Sequence, residues 1–451
     1  MNRHHIVMQM GAADRFTVRP EDDRAIVSKV SCVYAKDSID FGLDHLLGAA
    51  RIRGLTPSEV AFDLVFLATA VMGTDTRVSR EGHSQDGWTR ELHLYLPVSD
   101  VSMWTARIPA LKRMLNFLTG DRWEFTFRDR PRRFRRVVGP PNELNMNDAY
   151  SCVSLLSGGL DSFIGAIDLL DRGERPLFVS HFWDGATSAY QAAVVALLER
   201  EFGAKKVDSV RIRNGFAQGA IKRGGVESTQ RSRSFLFFAL AAFLGSGIGS
   251  AIEVLVPENG LIGLNVPLDP LRLGALSTRT AHPFYLARWN DLLAALGLAV
   301  SLRNPHATQT KGRMVKDCAR KAFLKKNLRS TMSCSSPTKA RFKGKAPQHC
   351  GYCLPCLIRR ASILKGLGDD TTEYSIELKG RVPSTTAAGK HIRSFQYACN
   401  ALKKNPALAQ FAVHKPGPLT DVSDSISDYV AVYRDGMKEI DTLLAGVKTV
   451  P

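Results

Sequence analysis

The sequence predicts an α/β protein: a parallel sheet flanked by helices, preceded by a smaller α+β unit and carrying a four-cysteine metal site. Three observations predict it. From residue 152 onward, short apolar runs alternate with helical patterns, as parallel strands joined by crossover helices require. A turn rich in serine and glycine stands where the first of these strands meets its helix. Four of the eight cysteines gather between residues 334 and 356. The 451 residues, 44% hydrophobic and 23% charged, suffice for two or three domains with buried cores and exclude a mainly disordered chain.

Residues 1–140 read as an N-terminal accessory domain of α+β type. Arg90–Pro97 alternates apolar and polar positions as a half-buried strand does, a helix is expected over Trp104–Leu118, and Trp123–Phe127 is a second strand. That strand runs into Arg128, Arg130, Arg132, Arg133, Arg135 and Arg136, either a charged edge that discourages aggregation or an anion-binding surface. Val137–Pro141 is a linker. Domain 150–370 opens with the buried strand Cys152–Leu156 and the helix Phe163–Leu170. Strands follow at 176–181, 207–212 and 251–256, with helices at 190–201 and 233–244 between them. Helices near Ile392–Lys403 and Ser423–Ala445 make residues 371–451 a mostly helical extension.

The 19 uncharged residues from Ser234 to Ile252 imitate a membrane span. The glycines of Gly245–Ser250 break that pattern, so helix, turn and strand are expected there, with no membrane span. The start of the chain lacks the apolar core of a signal peptide. A cytoplasmic location is expected, and in that reducing compartment clustered cysteines read as metal ligands before disulfides.

At the first strand–helix junction stands Ser157-Gly158-Gly159-Leu160-Asp161-Ser162. Such a turn aims backbone N–H groups at one point, and the following helix adds its positive end. Paired glycines let a phosphate approach without a Cβ in the way. The serines can donate to phosphate oxygens, and Asp161 can hold a Mg²⁺. The loop is not a Walker loop, because no Lys-Ser/Thr pair follows the glycines.

The clustered cysteines fall as Cys334, Cys350, Cys353 and Cys356. Two-residue gaps let successive thiolates turn inward on one ion, and a distant fourth closes a tetrahedral cage of the structural zinc kind. An iron–sulfur cluster takes the same four thiolates. His349 is a weaker ligand candidate, while Cys32, Cys152, Cys318 and Cys399 read as ordinary buried thiols.

The hexapeptide, in its strand–loop–helix setting, resembles the PP-loop of the N-type ATP pyrophosphatases, with the adenine-nucleotide α-hydrolase-like fold. On that resemblance Ser157, Gly158, Gly159, Leu160, Asp161 and Ser162 cradle the phosphates of ATP. Together with the cysteines, the loop resembles the 7-cyano-7-deazaguanine synthase (QueC) family. That family adenylates 7-carboxy-7-deazaguanine and converts its carboxylate, with ammonia, to an amide and then a nitrile. Arg233–Ala242 is similar to the family's Arg-Asn helix, with Ser234 in place of Asn. Thr331–Cys334 and Cys350–Arg359 are similar to its cysteine segments, and Lys311 falls where the family has a lysine that approaches the ATP phosphates.

The resemblance covers residues 150–365 and implies ATP, Mg²⁺ and Zn²⁺ as cofactors, with Asp161, Lys311 and Arg233 as catalytic candidates. Where the family carries its nucleobase-contacting elements the chain reads Val256–Asn265, so Glu258 and Asn259 are the substrate candidates for a guanine-like edge. The extended form resembles the QueC-like proteins of anti-phage systems, QatC among them. That implies a 7-deazaguanine-like carboxylate as substrate and a protein partner from the same operon as the amine acceptor.

The formal net charge is +18, and thirteen basic residues against one acid between Arg303 and Lys345 supply +12 of it. This stretch is read as an electropositive wall beside the ATP site or as a solvated helix face. Its aromatics are too few for a stacking platform, so a nucleic-acid partner is not favoured. Two other readings stay open: a tRNA-modifying PP-loop enzyme, and a non-catalytic nucleotide-binding subunit of a defence complex.

Overall fold

The computed structural model describes residues 2–33, 40–84, 86–139, 149–269, 279–338, 340, 344 and 346–451. Pro140 and Pro141 of the linker, and Lys339, Arg341, Lys343 and Lys345 of the basic stretch, lie outside them. Two parallel sheets carry the fold. The first joins β1 (Arg3–Gln9), β2 (Ala25–Ser31), β3 (Glu91–Val98) and β4 (Arg122–Asp129) in the order β2-β1-β3-β4, every pair parallel. The second joins β5 (Cys152–Leu155), β6 (Pro176–Phe182), β7 (Asp208–Arg213), β8 (Ile252–Leu255) and β9 (Val300–Arg303) in the order β7-β6-β5-β8-β9, again parallel throughout. A small parallel pair, β10 (Gly380–Pro383) and β11 (Val447–Val450), belongs to the C-terminal segment.

Strand order places the site. From β5 the chain moves outward through β6 to β7, then returns to β8 on the other side of β5. The carboxyl end of β5 is therefore a topological switch point, where α/β sheets open a crevice for ligands. Ser157–Ser162 occupies it.

The stretch that imitated a membrane span is the helix Arg233–Ser246, buried at every position from Ser234 to Gly245, followed by β8. No helix among the described residues is long and apolar enough to cross a membrane. The reason for its apolarity is layering. The helix packs on the central sheet and on the helix Glu59–Arg77, which is itself buried from Ala61 to Arg77 and packs on β3. Two helices pressed between two sheets have no face left for water, so the second reads as apolar all round and the first buries even its polar residues, Asp63 and Asp75 among them. One continuous core accordingly runs from Ile6 in β1 to Leu302 in β9. The N-terminal unit shares its core with the five-stranded sheet.

The opposite face of the central sheet is covered by Leu160–Asp171, Gly185–Phe202 and Lys311–Asp317, which meet through Phe163, Leu198 and Val315. A third core, around Leu357, Phe395 and Tyr433, joins the helix Leu354–Leu367 to the C-terminal helices Ala387–Lys404 and Ile426–Leu444. β4 is a sheet edge as expected. Its first arginines are spent internally: Arg128 on Asp14 at 2.6 Å, and Arg130 on Glu59 and Asp63.

The shared core makes a direct prediction at Gly73, on the helix between the sheets. A Cβ there would come within 2.4 Å of the Phe216 ring. Overpacking of this kind costs about 1–3 kcal/mol, more than the ~1 kcal/mol of helix propensity that Ala gains over Gly. Gly73→Ala should lower the denaturation midpoint measurably in a urea titration; an unchanged midpoint would contradict the close packing.

Candidate active site and four-cysteine centre

The loop after β5 is shaped by its two glycines. Gly158 sits at φ +81°, a conformation that strains any other residue, and a Cβ there would meet the Gln191 backbone at 3.2 Å. Gly159 caps the helix Leu160–Asp171 without a side chain, leaving the first N–H groups open toward the crevice. Ser157 Oγ accepts from the Gly159 N–H at 3.3 Å and shares a 3.1 Å hydrogen bond with Ser162 Oγ. The two hydroxyls thus stand together at the mouth of the helix. Gln191 fastens the loop to β6, its amide donating to the His181 carbonyl at 3.0 Å and the Ser157 carbonyl at 3.5 Å.

Asp161 turns inward and gathers three segments. Lys311 Nζ lies 3.1 Å from Oδ1, with both side chains buried. Oδ2 accepts from the Asn259 backbone at 3.2 Å and from its amide at 2.7 Å, and that amide also donates to Glu258 at 3.0 Å. Burial alone would raise the Asp161 pKa; Lys311, with hydrogen bonds from Glu258 and Asn259, carries it below its ordinary value. Glu258 moves the other way, pushed well above its ordinary value by burial and then by the charge of Asp161. The two buried carboxyls are thus pushed in opposite directions, Glu258 up and Asp161 down.

Lys311, Glu258 and Asn259 thus meet at Asp161, as the sequence brought none of them near. The Asn259 side chain is fully engaged inside the protein, its Oδ1 capping the helix Gly260–Leu264. Arg233, the first residue of its helix, donates to the His181 carbonyl at 3.2 Å and so reaches the neighbouring strand end. Burial lowers its pKa.

The four cysteines converge. Their sulfurs lie within 4.8 Å of one another, with Cys334 and Cys353 at 3.9 Å and Cys350 and Cys356 at 3.9 Å. A tetrahedral ion with metal–sulfur bonds of about 2.3 Å places its sulfurs about 3.8 Å apart, so the set fits one zinc-sized ion. Backbone N–H groups of Cys350, Cys353 and Ser336 point at sulfurs at 3.3–3.5 Å, stabilising thiolate charge. His349 is not part of the set: its Nε2 accepts from the Ser333 N–H at 3.1 Å, and burial, then Arg359, push its pKa down to about 3.

This centre is tied to the loop. Arg359, fully buried, donates to Thr331 Oγ1 and the Leu328 carbonyl, both at 2.7 Å, and the next residue, Met332, donates its N–H to the Gly158 carbonyl at 2.8 Å. A metal at the cysteines would hold residues 328–334 against the loop Ser157–Ser162.

Part of the basic stretch is paired in space. Arg303 pairs with Glu253, Arg313 with Asp317, Arg320 with Asp171 and Glu201, Lys325 with Asp369, and Arg329 with Glu373. Four of these arginines and lysines, Arg303, Arg320, Lys325 and Arg329, meet acids from distant segments that a local count does not see. Sequence reasoning also missed Gln191, Ser232, Thr310 and Glu439, polar residues whose partners are far away in the chain.

No protein-family model matches the chain. A search of curated proteins finds similarity to a 7-cyano-7-deazaguanine synthase from the archaeon Methanoregula boonei, 25% identical over 236 residues. The match covers 98% of that protein but 49% of this chain. Half of the present chain is therefore additional to the archaeal protein.

Two predictions follow from this geometry. Purified protein should carry about one zinc per chain by metal analysis, and Cys353→Ser should lose the metal and several degrees of melting temperature; a brown iron protein would contradict the single-ion site. Because Glu258 has its pKa raised by folding, ionising it costs stability as pH rises past its ordinary value of 4.5. Glu258→Gln should thus melt no lower than wild type at pH 5 and higher at pH 9. A variant less stable at pH 9 would show that the carboxylate is ionised and needed.

Proposed function

We propose that the chain is an ATP-dependent enzyme that activates a carboxylate as an acyl adenylate and passes it to an amine. Within that class, the substrate proposed is 7-carboxy-7-deazaguanine or a close relative. The single observation that carries the reading is the Ser157–Ser162 loop at the switch point of the parallel sheet, with the buried Lys311 fixed against it. The similarity to the archaeal synthase supports the deazaguanine ring.

In this reading the phosphates lie over the N–H groups of residues 158–162, with Ser157 and Ser162 donating. Lys311 and Arg233 would offset charge on the departing pyrophosphate, Asp161 holds Lys311 in place, and Asp161 would be the carboxylate to hold the Mg²⁺ that accompanies ATP, which would supply further charge stabilisation. The substrate carboxylate attacks the α-phosphorus and pyrophosphate leaves. The amine then attacks the acyl carbon, loses a proton and displaces AMP. Positioning and charge stabilisation supply the rate, so no side-chain nucleophile is needed. The cysteine centre is structural and holds residues 328–334 over the loop. The acceptor we propose is an amine of a partner protein, in an anti-phage setting; the half of the chain that the archaeal protein lacks supports a macromolecular partner.

Protein incubated with Mg²⁺, ATP, 7-carboxy-7-deazaguanine and ammonia or the partner should release pyrophosphate, and Asp161→Ala should reduce that release at least a hundredfold. No release above the Asp161→Ala level with any acceptor would refute the proposal. Intact mass of the partner identifies the acceptor, since amide formation adds the deazaguanine acyl group.

A further inference from the structure

The segments beyond the nucleotide-type sheet make two contacts of the same kind. Arg233 and Lys311 are each the first residue of a helix, Arg233–Ser246 and Lys311–Asp317. The residue before each, Ser232 and Thr310, is its N-cap. At both caps a carboxylate arrives from a remote part of the chain. Asp75, on the helix Glu59–Arg77, accepts from the Ser232 N–H and from Ser232 Oγ, each at 2.9 Å. Glu439, on the helix Ile426–Leu444, accepts from Thr310 Oγ1 at 2.5 Å and from the Gly312 N–H at 3.2 Å. Asp75 and Glu439 are too far apart in the chain for one stretch of 236 aligned residues to hold both.

Neither carboxylate is incidental. Asp75 is completely buried, and its other oxygen takes Arg90 at 2.5 Å and Arg80 at 3.2 Å. Asp121 closes the quartet on the same two arginines, at 2.7 and 2.6 Å. Burial raises Asp75, and Arg90 with Arg80 then carries its pKa down to about 2. Two arginines and two aspartates leave no net charge, yet burying four ions is costly, and well-packed apolar residues often do as well for stability alone. Arg80 also anchors the approach to Arg233: it donates to Thr229 Oγ1 at 2.9 Å, and its backbone N–H donates to Glu227 at 3.0 Å. On the other side the fit is close. A Cβ on Gly312 would fall 2.4 Å from a Glu439 oxygen, so only glycine lets the carboxylate reach the helix start.

We propose that the N-terminal and C-terminal segments are working parts of the nucleotide site, with Asp75 and Glu439 as positioning residues that fix Arg233 and Lys311. This rests on the reading of the crevice as an ATP site. Each carboxylate sets the start of a short path: Asp75 to Ser232 to Arg233, which reaches the end of β6, and Glu439 to Thr310 to Lys311, which reaches Asp161. The additional half of the chain thereby controls how the two cations face the phosphates.

The test is calorimetric titration of the full chain with MgATP, which needs no carboxylate substrate. Asp75→Asn and Glu439→Gln should each weaken binding about tenfold, the equivalent of about 1.4 kcal/mol. Asp63→Asn is the control: Asp63 is a buried carboxylate of the N-terminal unit, bonded to Ser99 and Trp104 away from both paths. It should lower the melting temperature and leave affinity within about twofold. Asp75→Asn combined with Arg233→Gln should bind no more weakly than Arg233→Gln alone. Should Asp75→Asn or Glu439→Gln fail to fold, Ser232→Ala and Thr310→Val each remove one hydrogen bond of the same path and should weaken binding severalfold. Wild-type affinity in any of these variants, with only a lowered melting temperature as in Asp63→Asn, would overturn the proposal for the segment concerned. Absence of MgATP binding by the wild type would overturn the ATP reading itself, and this inference with it.

Discussion

The Asp161 carboxylate is the contact on which the site depends. It stands in the first turn of the helix after β5 and holds Asn259 from the turn after β8 and Lys311 from the helix after β9. Three loops at the carboxyl ends of three strands are thereby fixed to one another. A buried carboxylate is tolerable only when paired and hydrogen-bonded, and removing one partner leaves the other charge uncompensated. Glu258 adds a second acid to the same enclosure, where burial and the charge of Asp161 raise its pKa well above the ordinary value. The crevice is preorganised because its charges cannot relax independently.

Around this centre the chain uses its extra length as support. The pressed pair of helices, Glu59–Arg77 and Arg233–Ser246, joins the first sheet to the second through one core, so the start of the Arg233 helix is set from both sides. The C-terminal helices do the same for Lys311 through the third core and Glu439. The cysteine centre holds the remaining wall by way of Arg359 and Met332.

Much of this was legible in the sequence where the signal is local. The alternating strands, the glycine loop and the cysteine spacing each reflect a backbone or ligand requirement met within a few residues. The helix Glu59–Arg77, buried on all sides from Ala61 onward, shows little helical periodicity for a sequence reading to use. β9 is only four residues long, too short for its alternation to stand out. A local charge count has a related blind spot: Arg320 and Arg329 look unopposed along the chain but face Asp171 and Glu373 in space. Lys311 and Arg233 were found through a resemblance. Asp75 and Glu439 had no signal to find them, since nothing in a lone carboxylate announces which helix start it will meet.

The central claim is that a substrate carboxylate attacks the α-phosphorus of ATP in this crevice. Its most direct test is oxygen-isotope transfer. With 7-carboxy-7-deazaguanine labelled with oxygen-18 in the carboxylate, the released AMP should carry one labelled oxygen by mass spectrometry, with pyrophosphate unlabelled. Unlabelled AMP, or cleavage to ADP and phosphate, would contradict the account.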